Sequence, residues 1–249
     1  NILQNNDAGQ CGASVSFAAT ETTAIPASTI VYTENEQVIV SGHYFSVGTH
    51  TITATATNAV GSSSGTFTIT ILDTVAPSLT VPANISVFTD NNVCGAAVSF
   101  AATATDNCSP ASISYSHNPG TVFPVGITTV TVTATDPSGN ATVQTFTVSV
   151  TDKQVPVALA KNITVGLSAV GGTVSITAAD INNGSSDACG IASMTVMPSS
   201  FSCANVGANT VTLTVTDVNG NVSTTTAIVT VVDDKGPVPT AVLPVISGQ

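Results

Sequence analysis

The chain has 249 residues and a mass of 24.7 kDa, with three Lys, no Arg, 14 acidic residues and a formal net charge of −11. Nucleic-acid binding needs Lys and Arg to displace counterions from phosphates, so this composition excludes it. A disordered chain pairs low hydrophobicity with high charge, whereas here 43% of residues are hydrophobic and 7% charged. Mean hydropathy is high, at +0.41. Yet Thr, Ser, Asn or Gly interrupts every Val/Ala/Ile stretch, well short of the roughly 18 apolar residues that a spanning helix needs.

Thr is the commonest residue. Its branched Cβ stiffens χ1 and suits the pleated surface of a strand. Leu, Glu, Lys and Arg, the good helix formers, are scarce. The composition predicts an all-β protein whose solvent face is hydroxylated rather than charged.

Along the chain, the dominant feature is self-similarity. The chain opens with Asn1-Ile2 and continues into DAGQCGASVSFAAT at 7–20. The segment FSVGTHTITATATN follows at 45–58, then a turn and a closing strand over Phe67–Asp73. A link runs from Asp73 to Pro77, and the series restarts with Asn84–Val87 and DNNVCGAAVSFAAT at 90–103. FPVGITTVTVTATD at 123–136 matches 45–58, and Phe146–Asp152 closes the second copy. After Asp152 and Pro156 come Asn162–Val165, ANVGANTVTLTVTD at 204–217 and the closing strand Ala227–Asp233, which leads to Pro237. These periods predict repeats over 1–76, 77–155 and 156–236, with 237–249 opening a fourth. They also suggest a stretch taken from a longer array.

Within a repeat the strands have period 2. Val130, Val132 and Ala134 face one way and Thr129, Thr131, Thr133 and Thr135 the other. Phe146, Val148 and Val150 alternate with Thr145, Thr147 and Ser149 in the same way. One apolar and one hydroxyl face is the pattern of an antiparallel sheet with one side in water. Several short strands per repeat, joined by Gly/Asn/Asp turns, predict β-sandwiches of immunoglobulin type.

The motifs Cys-Gly-Ala-x-Val-x-Phe, Asp106-Asn107-Cys108-Ser109 and Phe123 through Asn140 resemble a hyalin repeat (HYR). Repeat 2 fits almost throughout. Repeat 1 lacks the Asp-Asn-Cys and has Asn58 where repeat 2 has Asp136. Repeat 3 is more divergent and is similar to repeats of giant surface proteins of Bacteroidetes. The resemblance implies an immunoglobulin-like fold, an extracellular, cell-surface location, a role in adhesion and no catalytic activity.

Five cysteines are present. Cys94 and Cys108 are 14 residues apart, as are Cys189 and Cys203. That spacing predicts two disulfides, each inside one repeat, and hence an oxidising compartment. Metal ligation is the alternative, but there is no CxxC and no nearby His. Cys11 has Ile25 where a partner would stand. It is expected as an unpaired buried thiol, with an inter-repeat or intermolecular disulfide as the sharper alternative.

Catalytic chemistry has little to work with. His43, His50 and His117 belong to no HExxH, and no GxSxG elbow is present. The Asp-x-x-Gly-Asn segments Asp136–Asn140 and Asp217–Asn221 are too short for an EF-hand and lack its bidentate Glu. They read as hairpin turns in which Asp accepts main-chain N–H bonds and Gly supplies positive φ. Asp73, Asp152, Asp233 and Asp234, at the links, are the better calcium candidates, because ions there would stiffen the joints. Asp73-Thr74-Val75 resembles the Asp-Ser/Thr-apolar sequence at which Bacteroidetes attach O-glycans, which makes Thr74 a candidate.

These readings converge on a non-catalytic stalk or spacer of a large extracellular adhesin or surface filament, a gliding-motility filament among the options. Each sandwich would span roughly 33 Å at strand rise. The expected partners are the flanking repeats of the same polypeptide, with neighbouring filament chains or surface glycans as further candidates, and neither nucleic acid nor membrane insertion. Repeats that themselves bind glycan or protein, and an accessory region of a secreted enzyme, are the alternatives.

Overall fold

The structure, a computed structural model, describes residues 1–21, 26–168 and 171–234. The expected opening of a fourth repeat, 237–249, lies outside the described residues. The first repeat carries β1 (Ile2–Asn5), β2 (Gly12–Val15), β3 (Thr29–Glu34), β4 (Gln37–Ile39), β5 (His43–Ser46), β6 (Gly48–Asn58) and β7 (Gly61–Leu72). The second carries β8 (Ser78–Thr80), β9 (Ile85–Phe88), β10 (Gly95–Ala97), β11 (Thr103–Thr105), β12 (Ser112–Tyr115), β13 (Val122–Pro124), β14 (Gly126–Thr135) and β15 (Ala141–Thr151). The third carries β16 (Ile163–Gly166), β17 (Thr173–Ser175), α1 (Ala178–Ile181), β18 (Ile191–Met197), β19 (Ser200–Ser202), β20 (Gly207–Asp217) and β21 (Val222–Val232). The secondary structure of the described residues is almost wholly β-strand, as expected. Among the described residues the exceptions are the one-turn helix α1 and a 3-10 turn over Cys203–Asn205, and α1 forms where Asp180 Oδ2 accepts from both the N–H (2.7 Å) and the hydroxyl (2.8 Å) of Thr177.

The chain divides into two compact units. One comprises residues 1–84, 99–120 and 129–147; the other comprises 85–98, 121–128 and the chain from Val148 onward. The middle repeat contributes to both.

In the first unit, one sheet has the strand order β1-β7-β6-β3-β4, and β2 pairs with β5 in a second. Ala13, Val15, Phe17, Ile39, Phe45, Ile52, Ile69 and Ile71 are buried together as one core. Phe17 anchors it, edge-on to Tyr32 at 5.0 Å and 5.8 Å from Phe67 between ring centres. The Tyr32 hydroxyl accepts the N–H of Ala19 at 2.7 Å. Repeat 2 reproduces this contact, with the Tyr115 hydroxyl accepting the N–H of Ala102 at 3.0 Å. Strand β12 pairs antiparallel with β14, where Val130, Val132 and Ala134 are fully buried and the intervening Thr residues are half-buried. That is the alternation read from the sequence.

In the second unit, β16-β21-β20-β18 form one sheet and β17 pairs with β19. Its core includes Leu167, Ile181, Phe201, Val211, Leu213, Val229 and Val231. Strand β10 pairs with β13, and β9 lies parallel to the end of β15, with Phe88 opposite Thr151.

The Asn-Ile motif now has a cause. Each repeat places its Asn-Ile strand (β1, β9 or β16) parallel to its last strand, and the Asn just before that strand accepts a main-chain N–H from the neighbour. Asn1 accepts from Thr68 at 3.1 Å, Asn84 from Thr147 at 2.9 Å and Asn162 from Ile228 at 2.8 Å. Asn therefore fixes the register of a parallel pair that has no hairpin to fix it.

Candidate functional site

The parallel pairing decides what gathers at the links. Strand β1 ends beside the end of β7, with Asn5 opposite Leu72. Residues 6–11 therefore lie next to Asp73. Asn6 Nδ2 donates to Asp73 Oδ1 at 3.3 Å and to Gln10 O at 3.0 Å. Asp73 Oδ1 also accepts the N–H of Val75 at 3.2 Å.

Into this corner comes the Asp-Asn-Cys loop of repeat 2. Asp106 Oδ2 accepts the N–H groups of Cys108 at 2.9 Å and Ser109 at 3.4 Å. Asn107 Nδ2 donates to Gln10 O at 2.8 Å. Cys108 is bonded to Cys11, with Cα atoms 4.6 Å apart.

The second joint repeats this plan in the other unit. Asp152 Oδ1 accepts from Thr89 Oγ1 and from the N–H of Gln154, both at 3.0 Å. Gln154 reaches back to Asp90 O at 2.7 Å and accepts the N–H of Asn92 at 2.9 Å. Asp187 Oδ1 accepts from Cys189 at 2.8 Å and Gly190 at 3.2 Å. Cys94 is bonded to Cys189, again with Cα atoms 4.6 Å apart.

The cysteine pairing therefore corrects the expectation from spacing. Neither Cys94–Cys108 nor Cys189–Cys203 forms, and Cys11 is not unpaired. Both bonds join one repeat to the next. The physical reason is the parallel Asn-Ile strand, β1 or β9, which carries Cys11 and Cys94 to the end of their own repeat, against the Asp-x-Cys loop of the following one. Cys203 is the free thiol, exposed, with its Sγ 3.6 Å from Gly172 O. A signal for this was present in the sequence. Cys11 aligns with Cys94, Cys108 aligns with Cys189, and the bonded separations, 97 and 95, are close to each other. Cys203 has no counterpart in the other repeats.

The Asp-x-x-Gly-Asn segments are hairpin turns, with Gly139 and Gly220 at φ of 92° and 90°. Asp136 Oδ1 accepts the N–H of Asn140 at 2.8 Å, and Asp217 Oδ1 accepts that of Asn221 at 2.8 Å. Both carboxylates are buried. Burial pushes each carboxyl up, but the Asn side-chain and main-chain donors outweigh it and hold each below its ordinary value of 3.8. The Asn amides also reach the links, as do two hydroxyls. Thr142 Oγ1 donates to Pro77 O at 2.6 Å and Ser223 Oγ to Pro156 O at 2.5 Å.

Of the calcium candidates, Asp73 and Asp152 are buried while Asp233 and Asp234 are exposed. Thr74 is exposed, with its hydroxyl 3.4 Å from Asn6 Oδ1. His43 and His50 both pack against Phe45, with ring centres 4.9 and 5.1 Å from it. His50 lies between Glu34 Oε1 at 2.6 Å and Ser46 O at 2.8 Å, and His43 packs edge-on to Phe45. His117 Nδ1 is 3.1 Å from Ser116 Oγ on an exposed segment. Among the described residues no helix is long and apolar enough to cross a membrane.

An HYR domain model matches residues 72–150. The chain is similar to hyalin of Strongylocentrotus purpuratus, 32% identical over 232 residues, covering 88% of this chain and 19% of that protein. It is similar to hyalin of Lytechinus variegatus, 34% identical over 157 residues, covering 61% of this chain and 29% of that one. It therefore spans less than a third of either relative. Among solved structures, sidekick-1 immunoglobulin domains 1–5 align over 92% of this chain and 57% of that one, at 13% identity and a TM-score of 0.40. Protocadherin gammaB7 EC3-6 aligns over 93% and 71%, at 15% identity and a TM-score of 0.38.

Proposed function

Residues 72–150 belong to the HYR domain family, and from that premise we propose that this chain is a non-catalytic structural segment of an extracellular surface adhesin or filament. It serves as a stalk, its partners are the flanking repeats of the same polypeptide, and it carries load to or from a binding region elsewhere. A stalk of a Bacteroidetes gliding filament is the narrower form of the proposal, supported by the likeness of repeat 3 to large surface proteins of that group.

One observation carries the reading, the overlap of the two disulfides. Cys11–Cys108 forms one covalent node and Cys94–Cys189 another. Three chain segments join the nodes: 11–94, 94–108 and 108–189. The shortest is the 14-residue segment between Cys94 and Cys108. Under tension, force crosses the first disulfide, runs backward along that segment and leaves by the second. The two longer segments are bypassed, so repeats that unfold do not lengthen the stalk by their full contour. A binding module gains nothing from this arrangement, whereas a tether under load does.

Single-molecule pulling from the two ends tests it. Oxidised protein should reach a final extension on the order of 300 Å, and reduced protein on the order of 850 Å, at about 3.5 Å per residue. Equal extensions in the two states would remove the load-bearing argument. Specific hits on a glycan array by the isolated chain would favour the binding-module reading instead.

A further inference from the structure

The joints contain carboxylate oxygens that the protein does not satisfy. Asp73 is 8% exposed and Asp152 is 5% exposed. In each, Oδ1 is hydrogen-bonded while Oδ2 is buried without a partner. At the first joint Asp106 Oδ1 and Asn107 Oδ1 are likewise buried and unpartnered. All of these atoms are acceptors, so they cannot satisfy one another. A buried ionised carboxylate oxygen without a donor is costly and is normally matched by a cation, a proton or a hydrogen bond.

We propose that the two joints bind a hard divalent cation of the calcium type, held between Asp73 and Asp106 at the first and between Asp152 and Asp187 at the second. The geometry suits such an ion. Potential ligand atoms of Asp73, Asp106 and Cys108 lie within 4.8 Å of one another, as do those of Asp152, Asp187 and Cys189. Two oxygens that share one calcium at 2.3–2.6 Å are at most about 5 Å apart. Cys108 and Cys189 are in disulfides and present no thiolate, so the donor set is oxygen and a thiolate-bound zinc is excluded. Two carboxylates per site balance one divalent charge.

The sites are not equivalent. Ala188 stands where Asn107 stands in the first joint, so the second has one protein oxygen fewer. A cavity of about 260 Å³ lined by Asn92, Gln154, Ser186 and Asp187 gives water room to complete the shell there. The first site should therefore bind more tightly. The competing account is a proton shared between the paired carboxyls. The inference does not depend on the stalk reading, since a binding module could be stiffened in the same way.

The test is calorimetric titration of the full chain with calcium chloride after chelator treatment, with thermal midpoints in calcium and in chelator. Two ions should bind, and calcium should raise the midpoint. Asp73→Asn should abolish the tighter site and Asp152→Asn the weaker one. Asp106→Asn reports on the first site if Asp73→Asn does not fold. Glu36→Gln, at an exposed acid that belongs to neither cluster, should leave both. The proposal is overturned if calcium gives no heat and no change in midpoint. It is equally overturned if binding survives in the folded aspartate variants. A shared proton is the answer instead if Asp73→Asn or mild acid stabilises the protein while calcium does nothing.

Discussion

Asn140 Nδ2 donates both to Asp136 Oδ2 at 2.8 Å and to the main-chain carbonyl of Asp73 at 3.1 Å. Asn221 repeats the pair, to Asp217 Oδ2 at 2.8 Å and to Asp152 O at 3.4 Å. One amide thus fastens a hairpin turn to the end of the preceding repeat. Asn140→Ala removes both bonds and strands a buried carboxylate oxygen, at a cost of about 1–3 kcal/mol. In repeat 1, Asn58 sits at the hairpin, donates to Pro26 O at 3.1 Å and is engaged near the surface. Asn58→Ala should therefore cost less. Urea denaturation decides this, and equal midpoint losses in the two variants would refute it.

The cysteine pattern is open to direct chemistry. With only three Lys and no Arg, pepsin is the suitable protease for a non-reducing peptide map. The map should contain crosslinks between Cys11 and Cys108 and between Cys94 and Cys189, and one thiol, Cys203, should react in the folded protein. Replacing Cys11 and Cys108 together by Ser opens a loop of 97 residues, which the chain-entropy model values at about 4.7 kcal/mol. The realised loss should be smaller, because the second loop overlaps the first and the two effects are not additive. Recovery of a Cys94–Cys108 or Cys189–Cys203 peptide would contradict the structure.

Composition and periodicity were enough to read the strands. Val130, Val132 and Ala134 are buried as their alternation with Thr requires, and the hairpin turns fall on the Asp-x-x-Gly-Asn segments. The joints were half legible. The link aspartates stood out by their regular spacing before Pro, but their burial depends on a loop about 30 residues further along. The disulfides do not follow the cysteine spacing, because in this fold proximity in sequence is not proximity in space. Where the Asn-Ile strand runs parallel to the last strand of the repeat, position 11 is carried next to position 73 and then meets position 108. The pairs are encoded in the alignment of the repeats, Cys11 with Cys94 and Cys108 with Cys189, not in the spacing between neighbouring cysteines. Asp106 and Asp187 as joint residues needed the structure, since nothing local distinguishes them from ordinary turn aspartates.

The hairpin carboxylates set an acid limit. Asp136 and Asp217 are held below the ordinary carboxyl value of 3.8, because donors from Asn140 and Asn221 and from the turn main chain outweigh the upward push of burial. A folded value below the unfolded one means that stability is fully present above the unfolded value. It is lost as pH falls through the folded one. Urea midpoints should therefore hold near pH 5 and fall below about pH 4. Asp217→Asn should lower stability at neutral pH and flatten the acid limb. An unchanged acid limb in that variant would locate the sensitivity elsewhere.

The Gly of the Cys-Gly pair is explained by close approach rather than by a turn. A Cβ on Gly95 would sit 2.5 Å from Phe123 O and 2.8 Å from Val122 Cγ1, and the backbone oxygen is fixed by the pairing of β10 with β13. Gly12 meets Phe45 O and the Tyr44 ring in the same way. The close approach brings β10 against its partner strand while Cys94, one residue earlier, remains free to reach Cys189. Gly95→Ala should therefore destabilise by about 1–3 kcal/mol through overpacking. Gly65, in β7, has nothing within 4 Å of its would-be Cβ. Gly65→Ala should be neutral or stabilising by about 0.4–1 kcal/mol, because it restricts the unfolded chain without a clash. Thermal melts of the two variants settle the matter, and a Gly95→Ala protein as stable as the parent would show that the strand can shift.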